Sequence, residues 1–268
     1  MMKADLHMHT TCSDGLHTPA ELTAMAAAAK LDVIAISDHD TMAAYDGTHR
    51  LHDGVKIISA IEMSSDCADE DVHILGYHLD PANEELQDYC RDFKERRAVR
   101  ARKIVEKCTA LGYALDLTVV NDILRRGGTV GRPHIAAMLV EKGYFSSVSA
   151  VFERILSRNG PAYVPYDRYD IDACIELIHR AGGLSFLAHP SLLKAALPQV
   201  LQHPFDGIEV YHPKNRGRYD EFLGIAREKD WLVSGGSDYH GTIGRYPDGL
   251  GVFSFDAAPL QPLLSYKG

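Results

Sequence analysis

The pattern that most restricts this chain is a repeated unit, a short unbroken apolar run followed by a helix-patterned stretch. Residues 32–37, Asp-Val-Ile-Ala-Ile-Ser, show the run at its clearest. An unbroken apolar run of that length reads as a parallel strand buried on both faces. Residues 55–61, 72–77, 184–188, 207–211 and 231–236 repeat it; residues 1–8 begin the series and Val252 to Phe255 ends it. Between the runs lie helical stretches at 19–30, 171–180, about 191–202 and 216–229. The first has Thr18 as its N-cap and Pro19 at the first helical position. Residues 64–71 read as an acidic, exposed loop. Alternation of strand and helix predicts an α/β domain built on a parallel sheet.

The rhythm breaks near Pro81. Four helices are expected over 84–110, 118–126, 133–142 and 147–158, punctuated by Gly127-Gly128, Gly143 and Asn159-Gly160. The expected organisation is one α/β domain formed by 1–80 and 165–268, with 81–164 as an all-helical insertion. A length of 268 residues suits one such interrupted domain. The net charge of −9 argues against a broad nucleic-acid or anionic-membrane surface, though not against a local basic pocket. No apolar run approaches the ~20 residues that span a bilayer, and the N-terminus lacks the tripartite pattern of a signal peptide. Five scattered cysteines without a Cys-x-x-Cys read as reduced thiols, so a cytoplasmic location is expected.

The strand ends carry the chemistry. His7 and His9 are two residues apart on a strand and share a face, ~6.5 Å apart along the backbone. Asp14 follows in the loop, where Gly15 permits a tight turn. His39, Glu62, His73, His189, Asp238 and His240 stand at or near the ends of later runs. Each alone has an ordinary reading: Asp14 as a turn residue, His73 as a strand histidine, Asp238 to His240 as a capped turn. Nine ligand-type residues, holding six of the 14 histidines, converge too regularly for that reading to hold for all. They exceed what one ion needs, so two or three divalent ions are implied, bridged by Glu62 or Asp238. Mixed histidine and carboxylate donors suit manganese, zinc or iron better than calcium or magnesium. Gly131-Arg132-Pro133-His134 opens the third insertion helix, where free N–H groups and a guanidinium favour a phosphate. Lys214 is a weaker candidate for substrate charge, and His212 is as compatible with a solvent-facing role as with a functional one. The basic run at 94–103 reads as a solvated helix face.

Asp5-Leu6-His7-Met8-His9, Ser37-Asp38-His39-Asp40, Glu62, Ala188-His189-Pro190 and Ser237-Asp238-Tyr239-His240 together resemble the PHP (polymerase and histidinol phosphatase) metal-dependent phosphoesterases, in order and over nearly the whole chain. The resemblance extends to a helical insertion like that of the branch acting on nucleotides and other small phosphoesters. It implies a distorted (β/α)7 barrel, related to the amidohydrolases, with a trinuclear centre. By that resemblance His7, His9, Glu62 and Asp238 hold the first ion, Glu62, His73 and His189 the second, and Asp14, His39 and His240 the third. Arg132 and His134 match the branch's Arg-x-His element. Asp14 departs from the histidine that histidinol-phosphate phosphatases often carry there, which counts against histidinol phosphate.

The expected activity is hydrolysis of a phosphoric ester by a water that the ions acidify into a hydroxide nucleophile. Glu62, Asp238 and His134 are the expected catalytic residues, with Arg132, His134 and Lys214 binding substrate. The implied substrate is a small phosphorylated metabolite, a nucleoside 3′,5′-bisphosphate or an oligoribonucleotide end, with no stable nucleic-acid complex and no membrane partner; a sugar cyclic phosphate is the alternative. Two readings from other classes are a C–N hydrolase, which would want a carboxylated lysine where only mid-strand Lys56 is available, and a non-catalytic metal-binding module, which would lack ligands that are all present here.

Overall fold

Alternate residues of the second strand face different partners. Val33 and Ala35 join one buried cluster with Ile58, Ala60, Leu75, Tyr77 and Phe186, whereas Ile34 and Ile36 pack with Leu22 and Ala26 of the first helix. Both faces are dry, which is why the run is unbroken. The computed structural model describes residues 2–49, 51–242, 246–253 and 255–266. It divides into two units, Met1–Asp88 with Arg168–Gly268, and Tyr89–Asp167.

In the first unit, seven strands among the described residues lie side by side in chain order. They are β1 (Ala4–Asp5), β2 (Val33–Ile36), β3 (Lys56–Cys67), β4 (Glu70–Tyr77), β5 (Leu184–Leu187), β6 (Gly207–Tyr211) and β7 (Leu232–Gly235). The ends meet: the Leu6 N–H donates to the Gly235 carbonyl at 3.1 Å and the His9 N–H to that of Tyr239 at 2.9 Å. The result is a nearly closed, distorted α/β barrel. Gly236 sits at this seam, where a Cβ would come within 2.3 Å of the His7 backbone nitrogen. Helix α1 (Pro19–Ala28) starts with a reciprocal cap, in which Thr18 Oγ1 accepts the Glu21 N–H and Glu21 Oε2 accepts the Thr18 N–H.

Several expectations need correction. The sheet is not wholly parallel, since β4 runs antiparallel to both β3 and β5. The stretch expected as an exposed loop at 64–71 is strand and turn. β3 continues through Glu62 to Cys67 and reverses at Ala68 and Asp69, whose φ values of 46° and 65° give a two-residue hairpin turn. Ser64 and Ser65 look loop-like in sequence but are buried. The Ser64 N–H and hydroxyl donate to Asp40, and the Ser65 hydroxyl to the Tyr169 carbonyl. The first strand is shorter than expected, resuming only as a bridge between Met8 and Tyr239. The helix expected over about 191–202 is a 3₁₀ turn, Pro190–Leu192, and a short helix, Leu197–Val200. The last expected strand includes Ser254, which lies outside the described residues; Val252, Phe253 and Phe255 are not strand.

The second unit is helical. It contains most of α2 (Glu84–Ala110), with α3 (Thr118–Arg125), α4 (Arg132–Glu141) and α5 (Val148–Val151), the last running into a π turn at Phe152–Leu156. Ile104, Val105 and Cys108 of α2 pack with Val120 of α3, Ile135 and Leu139 of α4, and Val151 of α5. Among the described residues no helix is long and apolar enough to cross a membrane.

Candidate metal centre

The centre is built round Glu62, which is 1% exposed. Side chains on β3 alternate faces, so Glu62 shares a face with Ile58 and Ala60, and Ala60 belongs to the buried barrel cluster. Its two oxygens meet different histidines. Oε1 lies 2.8 Å from His73 Nδ1 and 2.9 Å from His189 Nε2. Oε2 lies 3.3 Å from Nε2 of both His7 and His9, and 3.0 Å from His39 Nδ1. Asp238 Oδ1 stands 3.3 Å from His9 Nε2 and 3.4 Å from His240 Nδ1. Asp14 Oδ1 is 3.2 Å from His240 Nε2 and 3.9 Å from both His9 Nδ1 and His39 Nε2. All nine ligand-type residues singled out in the sequence are therefore linked by such approaches. Two of them arrive by an unexpected route. Glu62 is in mid-strand, and His73 lies in the first half of β4, opposite Ser64. Because β4 is reversed, its beginning rises to the level where the parallel strands end.

Three buried aspartates brace the loops that carry these side chains. Asp38 accepts from the Thr10 N–H (2.7 Å), the Thr10 hydroxyl and the Ser13 hydroxyl (2.6 Å), fixing the turn that presents Asp14. Asp40 fastens the upper part of β3 through Ser64. Asp5 accepts the Ser237 N–H at 2.8 Å, fixing the residue before Asp238. Burial pushes the Asp5 carboxyl up to about 6. His189 and Asp238 take positive φ values of 27° and 55°. Such backbone is held only where surrounding bonds over-determine it.

The charges are mutually compensating. Burial alone would raise the Glu62 carboxyl, but His39, His73 and His7 hold it well below the usual carboxylate range. Asp14 is likewise held low against burial by His240 and His39. Burial would depress His9, yet Asp238 and Glu62 raise it to about 9. His39 goes the other way, pushed down to about 3 chiefly by burial.

The donor set fits divalent cations. Among the described residues, His7 Nε2, both ring nitrogens of His9, His39 Nδ1 and Glu62 Oε2 are buried and make no aligned hydrogen bond. Without a cation these atoms, His9 Nδ1 apart, only face one another and Asp238 at 3.0–3.3 Å, and a buried polar atom left without an aligned hydrogen bond is unfavourable. Cations at this cluster would satisfy these atoms at once. Atoms of His9, Asp14, His39 and His240 gather within 4.8 Å of one another, as do those of His7, His9 and Glu62, and of His39, Glu62 and His73.

One residue of this centre escaped the sequence reading, and a second was left open there. Glu209, on β6, is fully buried; its Oε1 accepts from His7 Nδ1 at 2.9 Å and its Oε2 accepts the His189 N–H at 2.7 Å. An apolar strand, Gly-Ile-Glu-Val-Tyr, interrupted by one glutamate was the available signal. His212 is 1% exposed, which excludes the solvent-facing alternative. Lys214 follows it in a 3₁₀ turn. Lys56 Nζ donates to the Leu264 carbonyl at 2.9 Å, so the lysine that a C–N hydrolase would need is engaged there. In the helical unit Arg132, not Pro133, occupies the first position of α4, and His134 Nδ1 accepts the Gly131 N–H at 3.0 Å. Arg132 lies over the rings of Phe152 and Tyr163 at 5.6 and 5.8 Å.

Comparison with known proteins agrees with this geometry. The profile of the PHP domain matches residues 5–243. The chain is 32% identical to the 5′-3′ exoribonuclease Rnm of Salmonella typhimurium, over 88% of this chain and 84% of that protein. It is 29% identical to the phosphoribosyl 1,2-cyclic phosphate 1,2-diphosphodiesterase of Eggerthella lenta, over 92% and 97%. It is 30% identical to the 3′,5′-nucleoside bisphosphate phosphatase of Chromobacterium violaceum, over 90% and 88%. Among solved structures, a candidate metal-dependent phosphoesterase from Bifidobacterium adolescentis superposes with a TM-score of 0.86 at 30% identity, covering 97% of this chain and 95% of that one.

Proposed function

The chain belongs to the PHP domain family, and from that premise we propose that it is a metal-dependent phosphoesterase acting on a nucleoside 3′,5′-bisphosphate or the end of a short oligoribonucleotide. The observation that carries the reading is the division of labour at Glu62, with one oxygen among His7, His9 and His39 and the other between His73 and His189. A carboxylate so flanked is placed to be shared between two cations. His7, His9, Glu62 and Asp238 would hold the first ion, Glu62, His73 and His189 the second, and Asp14, His39 and His240 the third. When bound, divalent ions supply Lewis acidity at phosphoryl oxygens and make water acidic enough to attack at neutral pH; manganese suits the donors, with zinc or iron as alternatives.

The chain's own residues do the rest. Arg132 offers a two-pronged grip on a phosphate. His134, whose Nδ1 accepts the Gly131 N–H, is proposed to bind the substrate phosphate beside Arg132. Lys214 adds a positive charge beyond β6.

The nucleotide choice draws on two relatives, named as an exoribonuclease and a nucleoside bisphosphate phosphatase. The cyclic-phosphate reading has support from the Eggerthella lenta relative, whose length is matched almost completely. The test is phosphate release by manganese-loaded protein from a nucleoside 3′,5′-bisphosphate, a 5′-phosphorylated short RNA, a ribose cyclic phosphate and histidinol phosphate. Preference for one of the first two is expected. Preference for the cyclic phosphate would move the chain to the second reading, and no release from any of them with metal bound would overturn both.

A further inference from the structure

His212 stands just past β6, buried between the rings of His7 (5.9 Å) and His189 (5.5 Å). Proximity alone would let His7, Glu209 and His212 gather round a cation. The hydrogen bonds argue otherwise. His212 Nδ1 accepts the Lys214 N–H at 3.0 Å. A neutral imidazole has one N–H, so a ring whose Nδ1 accepts must carry its proton on Nε2. A nitrogen that bears a proton has no lone pair for a metal. His7 is wired in the opposite sense: its Nδ1–H donates to Glu209, leaving the Nε2 lone pair turned toward Glu62 and Asp238. Two neighbouring histidines thus present a lone pair and an N–H donor to the same centre.

The His212 donor makes no hydrogen bond among the described residues. Asp238 Oδ2, 3.7 Å away, is out of reach. We propose that His212 is a catalytic residue, whose Nε2–H donates a hydrogen bond to a phosphoryl oxygen of the substrate. This rests on the phosphoesterase reading above. No proton is transferred: the neutral ring donates, the anionic oxygen accepts, and the backbone of Lys214 holds the ring in the tautomer that can do so. The role is distinct from that of the nine ligand-type residues, because it predicts loss of anion binding without loss of metal.

The experiment compares manganese-loaded wild type, His212→Ala and His212→Gln. Manganese content per chain is measured, and inorganic phosphate is titrated by calorimetry. The expected result is equal manganese in all three, phosphate binding weakened about 10- to 100-fold in His212→Ala, the range of a lost hydrogen bond to a charged group, and partial recovery in His212→Gln, whose amide N–H can replace the donor. Wild-type phosphate affinity in His212→Ala would overturn the proposal, as would loss of manganese from His212→Gln, which would make the residue a ligand. Should the wild type hydrolyse no phosphoester, the functional reading falls, while the phosphate titration still judges His212 on its own.

Discussion

A single carboxylate, Glu209, links histidines assigned to two different ions. It holds His7 through the ring and His189 through the backbone N–H. Partners of metal-bound histidines fix ring orientation, and their loss costs about 10- to 100-fold in metal affinity or activity. Glu209→Gln cannot accept at both places, so its manganese affinity is expected to fall by that factor; calorimetry on the folded variant decides it. Glu62→Gln and Asp238→Asn are expected to abolish phosphate release, and retained activity in either would refute the assigned site. The raised His9 value adds a sign. In metal-free protein the ring is protonated below about pH 9, and ligation needs it neutral. Loading at pH 8 should therefore expel a proton, and affinity should rise as pH rises toward 9. Calorimetry in two buffers of different ionisation enthalpy should give different apparent heats; equal heats would show no proton release. By the same linkage, protonated His9 stabilises the metal-free fold fully below its ordinary value near 6.5, and that contribution is lost as pH rises through about 9.

Among the elements, the β3–β4 hairpin does most to shape the centre, because it brings Glu62 and His73 up from opposite chain directions. Its turn places Ala68 at a φ of 46°, which costs a residue with a Cβ about 1–2 kcal/mol. Ala68→Gly should relieve part of this, less the entropy glycine loses on folding. A rise of roughly 2 °C in Tm is expected, of the order a 1 kcal/mol gain gives a chain of this size; a fall would show that the turn is not strained. The seam between β1 and β7 makes the opposite demand. A methyl on Gly236 would press on the His7 backbone. Gly236→Ala should lower Tm and weaken manganese binding together, since the segment it displaces, just past β1, carries His7 and His9.

At the scale of the whole molecule, the barrel fold and the ligand cluster are linked through binding. Buried atoms without hydrogen bonds oppose folding until something satisfies them, and a cation that binds only the folded state adds about 2.7 kcal/mol at a hundredfold excess over its Kd. Manganese is expected to raise Tm by several degrees and a chelator to reverse the change. An unchanged Tm at saturating manganese would mean the cluster is stable without it. The two units differ in what holds them. The barrel unit carries a buried polar network round its centre, and the helical unit packs an apolar cluster between α2, α3, α4 and α5 with the buried Arg100 held by the Val164 carbonyl.

The sequence by itself determined the α/β alternation and the positions of most strands, because a strand buried on both faces must be apolar throughout. It also marked the nine residues that the fold draws together, since histidine and acid are costly at the ends of apolar runs unless something there uses them. It did not determine the direction of β4. The apolar pattern of a strand reads the same in both directions, and the polar residues of the hairpin, Ser64, Ser65 and Asp66, resemble a loop until Asp40 and Tyr169 are seen to partner the serines. Nor did it assign Asp5, Asp38 and Asp40 as struts, Glu209 as the partner of His7, or His212 as a buried donor. Those roles depend on contacts between residues far apart in the chain, 202 positions in the case of His7 and Glu209. A polar side chain shows its purpose only when the group facing it is known, and that pairing is decided by the closed barrel.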